Sequence, residues 1–291
     1  MNGLINYLTV RREQDFEVYF LSNGEIELGM VPELGAKIIS LKNVKTGREW
    51  LWHPTGGLRL FHNRMGDDFC SSPLVGVDEC LPTIAPCRWR RRELPDHGEL
   101  WSQPWSVDPL ALKDGILKTT IELKISPFKL ERTIELRDRE VHIYYHLSNL
   151  GATEEHFLWA LHPLLRLEAG DHLELPPSTR ALLDGETWVD AISSTIPPQS
   201  YAKGFAGPIH EGSAAITNSR TGDRLEFVWD PRENNVLGLW LTRGGWHGHH
   251  HFALEPMNAG HDSLALAAER KKAGTIAGHS CARWRLCLRV S

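Results

Sequence analysis

Two short segments of the sequence each place one ionisable side chain where it can transfer a proton. His162 ends the stretch FLWALH, and Glu255 ends the stretch HFALE. Alternate residues of a β-strand share a face, so each side chain lies opposite its apolar neighbours, with a small alanine two positions before it. A carboxyl with a pKa near ~4.3 and an imidazole with a pKa near ~6.5 can hold opposite proton roles at neutral pH. The pair predicts acid–base chemistry, and an ordinary solvent-facing position is the alternative for either residue alone.

A third histidine lies in a turn-prone segment that also carries two tryptophans. In LPDHGELWSQPW, His97 follows an aspartate and precedes Trp101 and Trp105. An imidazole in a loop can bind sugar hydroxyls, and an indole ring can cover the apolar face of a sugar. The alternative is a solvated Asp–His pair above two core tryptophans. We expect Trp101 to form a wall or platform of a cleft and Trp105 to lie in the core.

The segment GGWHGHHHF raises the question of a metal site. His249 and His251 are two residues apart and point the same way on a strand, as a chelating pair does. A metal ion takes about three or four ligands, and no cysteine or carboxylate is spaced to complete the set. We therefore predict no metal and no cofactor, and interpret these histidines as a polar cleft wall. Trp246 follows two glycines, which is equally compatible with a loop over a pocket and with core packing.

Two charged segments are compatible with the binding of a sugar or a sugar phosphate, but solvated surface charges are the simpler explanation for both. Asp78 and Glu79 form an exposed-looking pair, for which solvated acids in a turn are the alternative to sugar binding. A basic run follows in CRWRRREL, and it consists of Arg88, Arg90, Arg91 and Arg92. We expect a solvated loop there, with sugar-phosphate binding as the second interpretation.

The overall composition excludes several classes of partner. The chain has 291 residues, is 41% hydrophobic and carries a net charge of −5, which gives no reason to expect nucleic acid or an anionic membrane. No apolar run approaches the roughly 18–20 residues that span a bilayer. Five cysteines without a CxxC spacing, together with the absence of a leader-like N-terminus, predict reduced thiols and a cytoplasmic protein. The oligomeric state, monomer or homodimer, is left open.

The elements that must position these residues are mostly β-strands. Apolar residues alternate in LKTTIELKI, VHIYYHL and CARWRLCLRV, which is typical of strands with one buried face. Helical periodicity is confined to DSLALAAERKKAG, where Asp262 is the expected N-cap and Gly274 lies just beyond the end. This pattern predicts an all-β, mostly antiparallel sandwich or barrel. No convincing linker divides the chain, so we expect one domain over residues 1–291.

In chain order, several segments resemble the galactose mutarotase-like (aldose 1-epimerase) superfamily. They are VPELGAKIISLKNVKTGREWLW, DECLPTIAPC, PDHGELWSQPW, LERTIELRDREVHIYYHLSNLG with LHPLLRL, and finally ALEP. The resemblance implies an all-β β-supersandwich with mostly antiparallel strands and at most one or two short helices. It also implies a monosaccharide bound on one open, concave sheet face.

The resemblance further implies roles for individual residues. Glu255 would be the general base for the C1 hydroxyl, His162 the general acid for the ring oxygen, and His97 a hydrogen-bonding partner of the substrate. Arg64 is the counterpart of the family's substrate-binding arginine. For its sugar-binding aspartate the candidates are Asp78, Glu79, Asp184 and Asp190.

These expectations lead to one hypothesis with two rivals. The hypothesis is a cofactor-independent aldose 1-epimerase that interconverts the anomers of a hexose or related sugar. The rivals are a non-catalytic carbohydrate-binding or sensor protein on the same fold and a hexose-6-phosphate 1-epimerase.

Overall fold

The computed structural model describes residues 4–176, 181–183, 186–188 and 197–291, and these residues form mainly antiparallel β-sheet. The strands are β1 (Tyr7–Glu13), β2 (Phe16–Ser22), β3 (Ile26–Val31), β4 (Lys37–Asn43), β5 (Val77–Cys80), β6 (Cys87–Trp89), β7 (Arg92–Leu94), β8 (Ser106–Val107), β9 (Leu117–Glu122), β10 (Phe128–Arg137), β11 (Glu140–Asn149), β12 (Glu155–Phe157), β13 (Ala160–Pro163), β14 (Leu165–Arg166), β15 (Asp171–Glu174), β16 (Ala181–Leu183), β17 (Glu186–Trp188), β18 (Tyr201–Ala206), β19 (Ser213–Asn218), β20 (Arg224–Trp229), β21 (Val236–Arg243), β22 (His250–Met257), β23 (Gly274–Ile276) and β24 (Cys281–Val290). The helices are α1 (Pro109–Lys113) and α2 (Leu264–Glu269), with 3-10 turns at Pro32–Leu34 and Phe69–Ser71.

Two large sheets dominate the fold. The twelve-stranded sheet has the order β1-β2-β3-β4-β5-β13-β22-β21-β18-β16-β17, with β14 paired to β22. The eight-stranded sheet has the order β15-β19-β20-β24-β11-β10-β9-β8, and β12-β23 and β6-β7 form two small ribbons. Apolar residues of both large sheets, among them Leu254 and Leu286, belong to one hydrophobic core. The predicted all-β β-supersandwich of mostly antiparallel strands with at most one or two short helices is confirmed, and the described residues contain two such helices.

The alternating sequence pattern explains why the sheets pack on one face. Along β11, buried Val141, Ile143 and Tyr145 alternate with half-buried residues, and the partner strand β24 buries Leu286 and Leu288 in the same way. Burial of such side chains stabilises the fold by roughly 1.5–3 kcal/mol each, which makes a register shift costly. The alternation predicted for these strands is confirmed, and Trp105 lies in the core as expected.

The acidic pair of β5 does not lie at the surface, so the prediction of exposed acids is wrong. Asp78 and Glu79 are each 2% exposed. Glu79 points between the two sheets, where it accepts hydrogen bonds from Arg132 (2.7 Å), Tyr145 (3.2 Å) and Trp159 (3.1 Å). A buried carboxylate requires such partners, and they come from strands distant in sequence. Glu79 is therefore part of the sandwich interior and not of a sugar site.

The C-terminal helix begins one residue later than predicted. Ser263 is the N-cap of α2, and its hydroxyl accepts from the backbone N–H of Leu266. Asp262 does not cap because its Oδ1 binds the Lys203 ammonium at 2.6 Å. The helix ends at Glu269, and Gly274 begins β23. Among the described residues, no helix has the length and apolar character needed to cross a membrane.

Candidate active site

A row of polar side chains crosses the twelve-stranded sheet on the face turned away from the hydrophobic core. His162 on β13 lies opposite Asp78 on β5, and the pairing of Ala160 with Met257 brings Glu255 on β22 to its other side. Lys37 on β4 continues the row beyond Asp78. The two residues that strand alternation predicted to be outward-facing therefore become neighbours on adjacent strands.

The central pair of this row has the geometry of an acid and a base that share one substrate. His162 Nε2 and Glu255 Oε1 are 3.7 Å apart, which is too long for a direct hydrogen bond. Glu255 is 1% exposed, and its Oε2 has no hydrogen-bond partner among the described residues. Gly238 lies beside Glu255 on β21, where a Cβ would approach Oε2 to 3.0 Å. A glycine thus leaves the room that the carboxylate occupies.

Burial disfavours the charged form of both groups, so it shifts their pKa values in opposite directions. Burial raises the pKa of Glu255 to about 7; the Lys203 ammonium opposes this shift and the Asp262 carboxylate adds to it. Burial lowers the pKa of His162 well below 6.5, and the positive charge of His97 adds to the effect. Near pH 7 the carboxyl group therefore exchanges its proton readily, as a general acid–base catalyst requires.

The His97 ring is fixed next to this pair by its own loop. His97 Nδ1 lies 2.9 Å from Asp96 Oδ1, and the ring stacks on Phe69 with 3.9 Å between centroids. The centroids of the His97 and His162 rings are 5.2 Å apart. Burial would raise the pKa of Asp96, but the hydrogen bond and positive charge of His97 outweigh it and lower that pKa. Asp96 therefore stays ionised and orients the imidazole, whose Nε2 has no hydrogen-bond partner among the described residues.

The turn that carries His97 depends on the following glycine. Gly98 has a φ of +74°, and a Cβ at this position would lie 2.1 Å from the carbonyl oxygen of Leu81. The backbone can therefore approach Leu81, just beyond the end of β5, only because no side chain intervenes. Tertiary packing thus determines the position of His97.

A cavity of about 170 Å³, open to solvent, lies above the acid–base pair. Its lining combines an apolar wall with polar and ionisable groups. The lining residues are Phe69, Cys70, Leu74, His97, His162, Leu164, Lys203, Trp240, Trp246, His251 and Glu255. Trp246 therefore faces the cavity, one of the two positions that the sequence left open.

The histidine-rich segment forms an aromatic wall of this cavity. His251 is buried, and its Nε2 accepts a hydrogen bond from Trp240 Nε1 at 3.2 Å. His249 and His251 both contact the Trp52 ring, at 4.9 and 4.7 Å between centroids. Burial lowers the pKa of His251 to about 3, with the charges of His249 and His250 adding to it, so the ring stays neutral. In the described part of the chain, these two histidines belong to no close group of three metal-ligating side chains.

Two residues predicted to bind substrate are placed elsewhere by the structure. Trp101 is 3% exposed and does not line the cavity; its Nε1 donates to the carbonyl oxygen of Asp96 at 2.9 Å. It packs edge-on against Phe69 and so supports the His97 loop from below. Arg64 is exposed on a surface turn, where its backbone N–H donates to Asp67, and it does not line the cavity.

The candidates for the sugar-binding aspartate are likewise displaced or undescribed. Asp78 forms a buried ion pair with Lys37 beside His162, behind the cavity lining. Burial raises the pKa of Asp78 although Lys37 opposes the shift. Asp184 and Asp190 lie outside the described residues. The basic run is engaged elsewhere: Arg90 and Arg92 pair with Glu155, and Arg88 with Glu93.

Lys203 is a cavity residue that sequence reasoning missed. It lies on β18, which joins the sheet through β21 and thereby approaches β22, and its ammonium pairs with Asp262. No motif marks it, because YAKGFA is an ordinary strand sequence. Strand alternation is the one sequence feature that could have marked Lys203, because it places Lys203 and Phe205 on the same face of the strand.

Comparisons with known proteins agree with this architecture. No protein-family model matches the chain, and no curated protein matches it. Among solved structures, it is similar to a galactose mutarotase-like protein from Clostridium acetobutylicum (TM-score 0.74, 13% identity, 99% of each chain covered). It is also similar to the Slr1438 protein from Synechocystis sp. PCC 6803 (TM-score 0.72, 17% identity, 99% of this chain and 96% of that one). A galactose mutarotase related enzyme from Lactobacillus acidophilus gives a TM-score of 0.69 at 13% identity, covering 94% and 97%. The chain thus has the galactose mutarotase-like fold.

Proposed function

We propose that this chain of galactose mutarotase-like fold is an aldose 1-epimerase that interconverts the anomers of a free monosaccharide. The observation that carries the proposal is the pair formed by Glu255 and His162, 3.7 Å apart at the base of a cavity of about 170 Å³. Opening a cyclic hemiacetal removes one proton and adds another, so one acid and one base are sufficient. The reaction needs no cofactor.

The proposed mechanism moves two protons in each direction. Glu255 takes the proton of the C1 hydroxyl while His162 gives a proton to the ring oxygen, and the bond between C1 and that oxygen breaks. The C1 aldehyde rotates, the ring hydroxyl attacks its other face, and the reverse transfers restore both residues. Burial penalises each charge separately, but an ionised carboxylate favours the imidazolium beside it. The active pair therefore holds one proton.

The remaining lining residues are proposed to hold the sugar in place. The free Nε2 of His97 can bond a hydroxyl close to the reacting centre, because Asp96 occupies Nδ1. The indole rings of Trp240 and Trp246 offer flat apolar surfaces for the faces of the sugar ring. Positioning of this kind converts proton transfer into a step within one bound complex.

If Glu255 and His162 together hold one proton, kcat/KM must depend on pH in a definite way. We expect kcat/KM for anomer exchange to fall as pH rises through about 7, where Glu255 loses the last shared proton. The value of kcat/KM should also fall at acid pH, well below 6.5, where protonation of His162 gives the pair a second proton. NMR exchange rates over roughly pH 5 to 9, corrected for spontaneous mutarotation, test this profile. A rate that climbs through pH 7 to an alkaline plateau would contradict the one-proton pair.

Lys203 and Asp262 should shift the alkaline limb of this profile in opposite directions. Lys203→Met removes the cation that lowers the pKa of Glu255, so the limb should move to higher pH. Asp262→Asn removes the anion that raises this pKa, so the limb should move to lower pH. The two variants disrupt the same ion pair, which makes them matched controls for each other. Shifts in the same direction would show that the ion pair acts through packing and not through its charges.

A hexose-6-phosphate 1-epimerase is the second candidate, and the supporting observation is the Lys203 ammonium in the cavity lining. The Asp262 carboxylate at 2.6 Å already neutralises that ammonium, which favours an uncharged substrate. NMR exchange measured with glucose, galactose and other aldoses, free and phosphorylated, distinguishes the two candidates. Sugar binding without acceleration for any member of the panel would instead support a non-catalytic sugar-binding protein.

A further inference from the structure

We propose that the eight-stranded sheet carries a zinc-type metal site on its outer face, formed by Glu140, His142 and Cys287. On β11, Glu140 and His142 alternate with the buried Val141. Cys287 lies opposite His142 on β24. One donor atom from each of the three side chains lies within 4.8 Å of the other two. The site is separate from the sugar cavity, which is built on the twelve-stranded sheet.

Each of the three side chains offers a donor atom that zinc binds in proteins. Cysteine sulfur, histidine nitrogen and a carboxylate oxygen are common zinc ligands, and three protein ligands leave a fourth position for water. The His142 Nε2 atom is buried and lies at ion-pair distance, 2.8 Å, from Glu140 Oε2, but the two atoms are not aligned for a hydrogen bond. A buried ring nitrogen that is close to a carboxylate oxygen but poorly aligned with it is well placed to share a cation with that oxygen.

Neighbouring residues orient the carboxylate toward the same point. Arg289 Nε donates to Glu140 Oε1 at 2.8 Å, which leaves Oε2 on the side of His142. Its Nη1 also bonds Glu226 at 3.2 Å, so Arg289 is itself held in place. Such outer contacts commonly fix the ligands of metal sites. An adjacent hollow that includes Trp229 and Asp230 gives a metal ion and its water access from solvent.

Binding is expected to release the Cys287 thiol proton, because the thiolate is the metal-binding form. The metal would then join β11 to β24 on the side of the sheet opposite the core. Because a metal that binds only the folded chain stabilises it, zinc should raise the midpoint of thermal unfolding. The sugar reaction should be unaffected.

The test uses the full chain, freed of metal by chelation and titrated with Co²⁺ and then with Zn²⁺ in competition with a coloured chelator. We expect one equivalent of Co²⁺ per chain and a thiolate-to-cobalt charge-transfer band that zinc abolishes. Cys287→Ser and His142→Gln should each remove the band and weaken zinc binding by at least about 10–100-fold. That is the loss of metal affinity caused by mutating a residue that only orients a ligand, and these two residues are ligands themselves. Cys281→Ser is the matched control, since Cys281 is exposed on the same strand.

Three results would overturn the site. They are a band that persists in Cys287→Ser, a band that disappears in Cys281→Ser, and the absence of stoichiometric binding by the wild-type chain. Circular dichroism of each variant shows whether a loss of binding reflects misfolding, and His142→Gln supplies an independent disruption if Cys287→Ser does not fold. Anomer exchange with and without chelator separates this site from the sugar cavity.

Discussion

Glu255→Gln should slow anomer exchange by roughly 10²–10⁴-fold while leaving sugar affinity within a few-fold of wild type. Glutamine keeps the size and hydrogen-bonding capacity of the protonated acid, but its amide cannot accept the C1 hydroxyl proton. The pKa of about 7 means that near neutrality the wild-type carboxyl already spends much of its time uncharged. An uncharged amide should therefore preserve the ground-state site and remove only the proton transfer.

The measurement is NMR exchange between anomers at saturating sugar, with affinity determined separately by calorimetry. Glu122→Gln is a suitable control, because it makes the same chemical change at an exposed position on β9. Wild-type exchange rates in Glu255→Gln would eliminate Glu255 as the base. A variant that lost binding as well as turnover would point instead to a structural role for the carboxylate.

Arg132→Met should lower the free energy of unfolding by about 3–5 kcal/mol, the usual cost of removing one partner from a buried ion pair. Arg132 and Glu79 both have side chains that are 1% exposed, and their bond links the two sheets. In the variant the Glu79 carboxylate would remain buried with only Tyr145 and Trp159 as donors. Chemical denaturation followed by tryptophan fluorescence measures the loss.

The double variant Arg132→Met/Glu79→Gln is the matched control. It removes both charges; a glutamine oxygen in the place of Oε2 can still accept from Trp159, and the amide N–H beside it can donate to the Tyr145 hydroxyl. Most of the lost stability should therefore return, because an uncharged buried pair needs no counter-ion. A single variant within about 1 kcal/mol of wild type would show that the pair contributes little and that solvent reaches Glu79.

The sequence alone was sufficient for the fold class and for the faces of the central strands. A strand repeats every two residues, so the outward position of His162 and Glu255 follows from their immediate neighbours. The same local rule identified the alternation of β9, β11 and β24. The ordered resemblance to the galactose mutarotase-like superfamily then implied the sandwich that the structure has.

Only the tertiary structure decided which side chains meet and how polar their surroundings are. Asp78 and Glu79 read as exposed acids because the sequence around them does not contain Lys37 and Arg132, the partners that make their burial possible. Trp101 lies beneath the cavity and Trp246 lines it, although their local sequences predicted the first more strongly than the second. Lys203 reaches the site because β18, β21 and β22 are consecutive in the sheet. Alternation along one strand is a local property, whereas strand order, register and burial arise from long-range pairing, and these set the neighbours and the pKa of each group.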